Sequence, residues 1–317
     1  MKLPLDMARL RMCALALALT GAACGEASPA ADTGVAPSAE SAEISVRFDV
    51  SAGKPATVEV LAFRATTTTA TSTSQPVDPR TDVLGIVDPL AAEAPADGCV
   101  LRDIDLATKA LALRGGSIDL QELTGVGVGL AAAGRAPGEP WSDALLRPFP
   151  RLYPDVATVV GGVVAEAGPQ KVTALPERVT LVTAESELPV VDLAVPAAPR
   201  ASAVNGAAFT PGLSVAATDG LSITVANGAG GRVELRPYGA TVAAICAIPS
   251  NAGAESIVTV PRGFVETLAQ RARATAGAPL AVSLEVARRA HLIAGLGGAP
   301  ARVSVEVRSA ATVELRP

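Results

Sequence analysis

The residues of this chain that could do acid–base, covalent or metal chemistry are few and scattered. His291 is the one histidine among 317 residues, and it follows Arg288 and Arg289. Triad chemistry needs a histidine held between a nucleophile and an orienting acid. No G-x-S-x-G occurs; the nearest string, GGSID at 115–119, lacks the closing glycine and reads as a turn entering a strand. His291 is therefore expected at an exposed hairpin end, where the alternating run LAVSLEV gives way to a polar turn, and not as a catalytic base. Asp103 and Asp105 alternate with Ile104 and Leu106, which points both carboxylates to solvent from one strand. Glycoside hydrolysis would need two acids flanking a sugar in a cleft. GVGVGL at 125–130 has glycines but no helix to follow before Pro137, so it lacks the strand–turn–helix logic of a dinucleotide site. Asp78, Asp82 and Asp88 do not have EF-hand spacing, and a loop-borne calcium site there is the weaker alternative. The expectation is no catalytic residue, no metal site and no cofactor.

The four cysteines are Cys13, Cys24, Cys99 and Cys246. Two lie in an N-terminal stretch with Lys2, Arg9 and Arg11 ahead of an apolar run, Met12 to Leu19, that is too short to span a bilayer. Small residues Gly21, Ala22 and Ala23 then lead to Cys24, which is the architecture of an export signal. This ending resembles a bacterial lipobox, although Gly21 stands where a large aliphatic residue is usual. The resemblance implies a signal peptide over 1–23, acylation of Cys24 with palmitate-type chains, and attachment to a membrane. Gly25, and not an acidic residue, follows the cysteine, which favours the outer membrane. Residues 24–42 are small, polar and proline-bearing, and read as a flexible tether. Cys99 and Cys246 remain in an oxidising compartment, where disulfides persist. Cys246 sits in an apolar run and reads first as a small buried hydrophobe, with a Cys99–Cys246 disulfide as the second reading.

A net charge of -5 and a pI near 5.1 argue against a nucleic-acid surface. Aromatic residues are 3% of the chain, yet Trp141, Phe149 and Tyr153 cluster in one proline-bearing stretch with Arg147 and Arg151. Such residues either cap an open end of a sheet or form a recognition loop, since aromatics and arginine are favoured at binding hot spots.

Whatever site exists must be held by strands. Twenty-nine glycines and 25 prolines punctuate the chain, and sustained helical periodicity is rare. EISVRFDV (43–50) and ATVEVLAF (56–63) alternate around Lys54-Pro55 and predict a hairpin; TTTTATSTS (66–74) predicts the start of a long loop. Short alternating runs continue to the end, with Asp, Asn and Gly turns at TDG (218–220) and NGAGG (227–231). Phe264, Val265, Leu268 and Ala269 share a face at helical spacing, which predicts one short helix near 263–271. The predicted fold is all-β: two β-sandwich domains, immunoglobulin-like or similar, over 43–198 and 199–317.

Within the second of these regions TPGLSV (210–215), Cys246 in AAICAIP and TVPRGFVETL (259–268) resemble the Ala/Gly-rich lipoproteins of myxobacterial type. A tryptophan usual in that pattern is absent from SITVANG. The resemblance implies a lipoprotein and a strand-rich body and carries no activity. The functional expectation is a non-catalytic, surface-anchored lipoprotein with a structural or binding role toward an envelope protein or glycan. The alternative is an envelope hydrolase acting on cell-wall or polysaccharide substrates.

Overall fold

The computed structural model describes residues 38–69, 95, 97–103, 116–123, 126–131, 146, 149–152, 161–183, 186–272, 278–296 and 299–316. The strands of the first half are β1 (Ser38–Asp49), β2 (Thr57–Thr69), β3 (Cys99–Asp103), β4 (Gly116–Glu122), β5 (Val126–Ala131), β6 (Phe149–Leu152), β7 (Gly161–Lys171), β8 (Arg178–Thr183) and β9 (Ser186–Ala194). Those of the second half are β10 (Arg200–Val204), β11 (Ala207–Ala208), β12 (Leu213–Ala216), β13 (Leu221–Ala226), β14 (Arg232–Pro237), β15 (Val242–Ala247), β16 (Glu255–Val260), β17 (Leu280–Leu296) and β18 (Ala299–Arg316). Among the described residues one helix, α1 (Arg262–Arg271), stands with them. Its boundaries match the helical spacing, and Val265 and Leu268 are the residues it buries.

Eleven strands form one large sheet, with β12 joined to β18 beside the path β3-β15-β14-β17-β18-β1-β2-β4-β7-β6. Two smaller sheets, β5-β8-β9 and β11-β10-β13-β16, complete the described fold. The expected division at 198/199 is crossed by the large sheet, in which β1 pairs in parallel with β18, Ile44 opposite Val303 and Phe48 opposite Val307. Residues 36–317 form one compact unit.

Side chains alternate across a strand, so a single parity along each strand marks the inner face of the large sheet. Ile44, Val46 and Phe48 of β1 join Val303, Val305 and Val307 of β18 in one core, which takes Val128, Val179 and Leu181 from the three-stranded sheet. A second core joins Leu284 and Val286 of β17 and Val313 and Leu315 of β18 to Ile223 and Val225 of β13 in the four-stranded sheet. The small sheets therefore cover neighbouring stretches of the same inner face. The β17–β18 hairpin, 17 and 18 residues long against a usual five or six, runs through both cores. TDG at 218–220 carries the chain from the large sheet to the four-stranded one. Gly220 has φ 95°, and a Cβ there would lie 2.5 Å from the Val260 carbonyl oxygen, so the turn requires glycine.

Several expectations are corrected. Of the tether expected over 24–42, residues 38–42 are strand instead and pair with Arg64–Thr68 in the β1–β2 hairpin; the rest lies outside the described residues. The threonine run continues β2 as far as Thr69; a β-branched run suits a pleated strand. His291 is not at a hairpin end: β17 continues to Leu296, and His291 lies opposite Ser304. β17 runs straight on through the two arginines: Arg289, opposite Glu306, faces a charge network on the outer face of the sheet, and Arg288, opposite Val307, faces the other side.

Candidate functional site

A cavity of about 770 Å³ opens at the seam where the chain, after leaving β9, enters the four-stranded sheet at β10. Its floor is the inner face of the β17–β18 hairpin, Leu284, Val286, Ser309 and Ala311. Between Val303 and Leu315 this face of β18 otherwise carries valine and leucine; Ser309 and Ala311 interrupt it with small side chains at the recess. The walls are Val50 and Ala52 on one side and Ala198–Ser202, Phe209 and Pro211 on the other.

The backbone explains why the seam sits there. Along one edge of β18, β1 pairs with residues 301–308 and β12 with 313–316, so among the described strands none pairs this edge between them. The Ala310 N–H donates instead to Ser51 Oγ at 3.0 Å, and Ser51 Oγ donates to Asp49 Oδ1 at 2.5 Å. Ser309 Oγ donates to the Pro199 carbonyl at 2.7 Å, and Asn227 Nδ2 to the Ala198 carbonyl at 3.3 Å. The polar side chains of the cleft thus hold its walls in place. Arg200, exposed at the mouth, is the one charged residue among the described lining.

The outer face of the large sheet has a different chemistry. Glu43, Arg47, Arg232, Glu234, Glu285, Ser304 and Glu306 are all buried there. Glu306 is the hub. It accepts from Arg232 Nη1 at 2.8 Å and Nη2 at 3.2 Å, and from Arg289 Nε at 2.9 Å. Arg232 also donates to Glu234, and Arg47 Nη1 lies 3.4 Å from Glu59. Burial alone would push the Glu306 carboxyl up, but the charges and hydrogen bonds of Arg232 and Arg289, with Arg47 behind them, hold it well below the usual carboxylate range. Arg232 is opposed by burial in the same way, and Glu306 and Glu234 raise it above its ordinary value. Glu285 lies across from this balance. Burial and the negative charge of Glu234 push it up to about 8, against the pull of Arg308, 3.9 Å away, and of Arg232.

A hollow of about 340 Å³ opens beside this network, bordered by Arg232, Arg289, His291 and Arg302 and by Gly230-Gly231. Arg232 and Arg289 are committed to Glu306, and His291 and Arg302 have partners of their own.

The chain matches no family model, no curated protein and no solved structure. Its site is therefore read from its own residues.

The structure places the sequence-derived candidates unevenly. Cys24, Trp141, Arg147 and Tyr153 lie outside the described residues, as do Asp78, Asp82, Asp88 and Asp105. Phe149 and Arg151 fall on β6, opposite Glu166 and Val164 of β7, so this part of the expected recognition loop is strand. Asp103 is exposed, as alternation requires, and pairs with Arg271 at the end of α1. Cys246 is buried, and its sulfur is bonded to Cys99, directly opposite on the paired strands β15 and β3. Among the described residues no cluster of three potential metal ligands forms. The seam cleft was missed because its signal, the loss of large side chains at 309–311, looks in sequence like a weaker strand.

Proposed function

We propose that this protein is a lipid-anchored envelope protein whose body is two β-sandwich-like halves sharing one hairpin, and that it binds a ligand, without catalysis, in the seam between them. The observation that carries this reading is the seam cleft itself. Small-molecule sites are concave, predominantly apolar, about 300–1,000 Å³ in volume, and favour junctions between structural units. The cleft has that volume, apolar walls and that position. A hydrolase would bring acids together at its cleft; here the two carboxyls with displaced ionisation, Glu285 and Glu306, are on the opposite face of the sheet from the cleft floor. That separation favours binding over hydrolysis.

The anchor rests on the sequence around Cys24, with the outer membrane as the site of attachment. The Cys99–Cys246 disulfide supports export, since such bonds persist outside the reducing cytosol.

The test is ligand capture. The full chain, incubated with small molecules extracted from the bacterial envelope, is expected to retain an adduct in native mass spectrometry. Ala52→Trp, a substitution at the exposed rim, is expected to lose that adduct. An adduct that persists in Ala52→Trp puts the site elsewhere, and release of sugars from a polysaccharide extract would favour the hydrolase.

A further inference from the structure

We propose that the seam cleft takes a single-chain apolar molecule ending in an oxyanion, with the oxyanion held by Arg200. This rests on the cleft being the binding site and adds the class of its ligand. Three observations converge on it. The floor offers no charge: Leu284 and Val286 are buried carbon surface, flanked by the small side chains of Ser309 and Ala311. The polar groups that border the cavity are already engaged, Ser309 with the Pro199 carbonyl, Ser202 with the Thr224 carbonyl and Asn227 with the Ala198 carbonyl. A ligand with many hydroxyls, such as a glycan, would find few partners on such walls, and each polar group left without one is costly to bury.

The third observation is the cation. Arg200 begins β10 at the mouth of the cleft, opposite Ala226 on β13, and it makes no ion pair with a described residue. Around it lie Ala198, Pro199 and Ala201, none of which carries charge. Acidic residues are absent from the described lining, so nothing there neutralises the guanidinium. A planar guanidinium presents parallel N–H donors that fit a carboxylate, sulfate or phosphate oxygen pair. An apolar chain on the floor with its anionic end at the mouth satisfies both surfaces at once, and the charged end stays at the water boundary where desolvation is least.

The experiment uses decanoate and decanol as probes on the full chain carrying Cys24→Ala, which removes the expected acyl group. Titration calorimetry is expected to show decanoate binding at least ~10-fold more tightly than decanol. Arg200→Gln is expected to bring decanoate down to the decanol level and leave decanol unchanged. Ala311→Phe, which fills the floor, is expected to abolish binding of both; Ala52→Trp blocks the mouth from an exposed position and repeats the test if Ala311→Phe does not fold. Decyl phosphate in place of decanoate separates a general oxyanion preference from a carboxylate one. Equal binding of decanoate and decanol, or no effect of Arg200→Gln, overturns the oxyanion assignment while leaving the cleft as a binding site. Decanoate binding that survives both blocking variants overturns the placement. No binding of any probe, where an envelope adduct is still captured and lost in Ala52→Trp, overturns the ligand class alone.

Discussion

Arg232 on β14 reaches across the intervening strand β17 to place both terminal nitrogens on the Glu306 carboxylate of β18, at 2.8 and 3.2 Å. Arg289, directly opposite Glu306 on β17, adds a third donor from the strand between. Removing one partner of a buried pair leaves the other charge unneutralised, a cost of about 3–5 kcal/mol. Glu306→Gln abolishes the charge that Arg232, Arg289 and Arg47 share, with little change in shape. Urea unfolding at pH 7 should show a loss of that order, with the midpoint lowered and the slope unchanged. A loss under about 1 kcal/mol would mean that the three guanidinium groups find other partners.

Glu285 is expected to act in the opposite sense. Its carboxyl is raised by burial and by Glu234 to about 8 in the folded protein, against an ordinary value near 4.3 in the unfolded chain. Between those values the folded state holds a proton that the unfolded state has lost, so stability falls as pH rises from about 4.5 to 8 and levels off above. Glu285→Gln cannot ionise and should remove this falling limb. The variant should exceed the parent at pH 8.5 by a margin on the order of a few kcal/mol and differ little from it at pH 5. Parallel stability curves for parent and variant over this range would rule out a proton on Glu285. Glu306 gives the complementary limb: its carboxyl is depressed, so its contribution is present above about pH 4.5 and is lost as pH falls further.

Alternation in EISVRFDV located a strand with Ile44, Val46, Phe48 and Val50 on one face; the structure buries the first three and leaves Val50 half-buried. The same alternation implies that Glu43, Ser45 and Arg47 face water, yet they are 0%, 2% and 6% exposed. Periodicity distinguishes two faces of a strand, but whether the polar face meets solvent is decided by what packs on it, which no local pattern records. The helix was legible because its spacing is internal to ten residues. The pairing of β1 with β18 was not, because it joins positions about 260 residues apart, and a parallel pair leaves no hairpin signature. The seam follows from that pairing. It exists because β1 stops opposite Arg308 and β12 starts opposite Val313. Of the cleft, only the small residues at 309–311 were visible beforehand, and without a known partner strand they carry no meaning.

The anchor is testable at one atom. The basic residues, the short apolar run and Gly-Ala-Ala before Cys24 point to acylation of that thiol. In a bacterial host with lipoprotein-processing enzymes the parent should partition into membranes and Cys24→Ala into the soluble fraction. Two or more acyl chains give durable attachment at about 0.8 kcal/mol per buried CH2, so the shift should be nearly complete. An intact mass showing a free Cys24 thiol at the mature terminus would sink the assignment.

The Cys99–Cys246 bond ties the edge strand β3 to β15 and closes a loop of 147 residues that contains β4 to β14. In the chain-entropy treatment a crosslink of that span restricts the unfolded chain by about 5 kcal/mol, an upper figure for what its loss would cost. β3 has only five residues and, among the described strands, pairs with β15 alone. Cys99→Ser should therefore act locally as well as globally. Exchange of β3 amide protons should quicken more than that of β14 or β17, whose strands are paired on both edges. Cys246 is buried in the core beneath the four-stranded sheet, and Cys246→Ser adds a polar group to an apolar site. It should lower the unfolding midpoint further than Cys99→Ser, and the double variant should resemble Cys246→Ser, since both singles break the same bond. If either single variant unfolds at the parent's midpoint under oxidising conditions, the bond contributes nothing measurable to the fold. If reduction of the parent lowers the midpoint to that of Cys99→Ser and leaves Cys99→Ser unmoved, the stabilisation belongs to this bond.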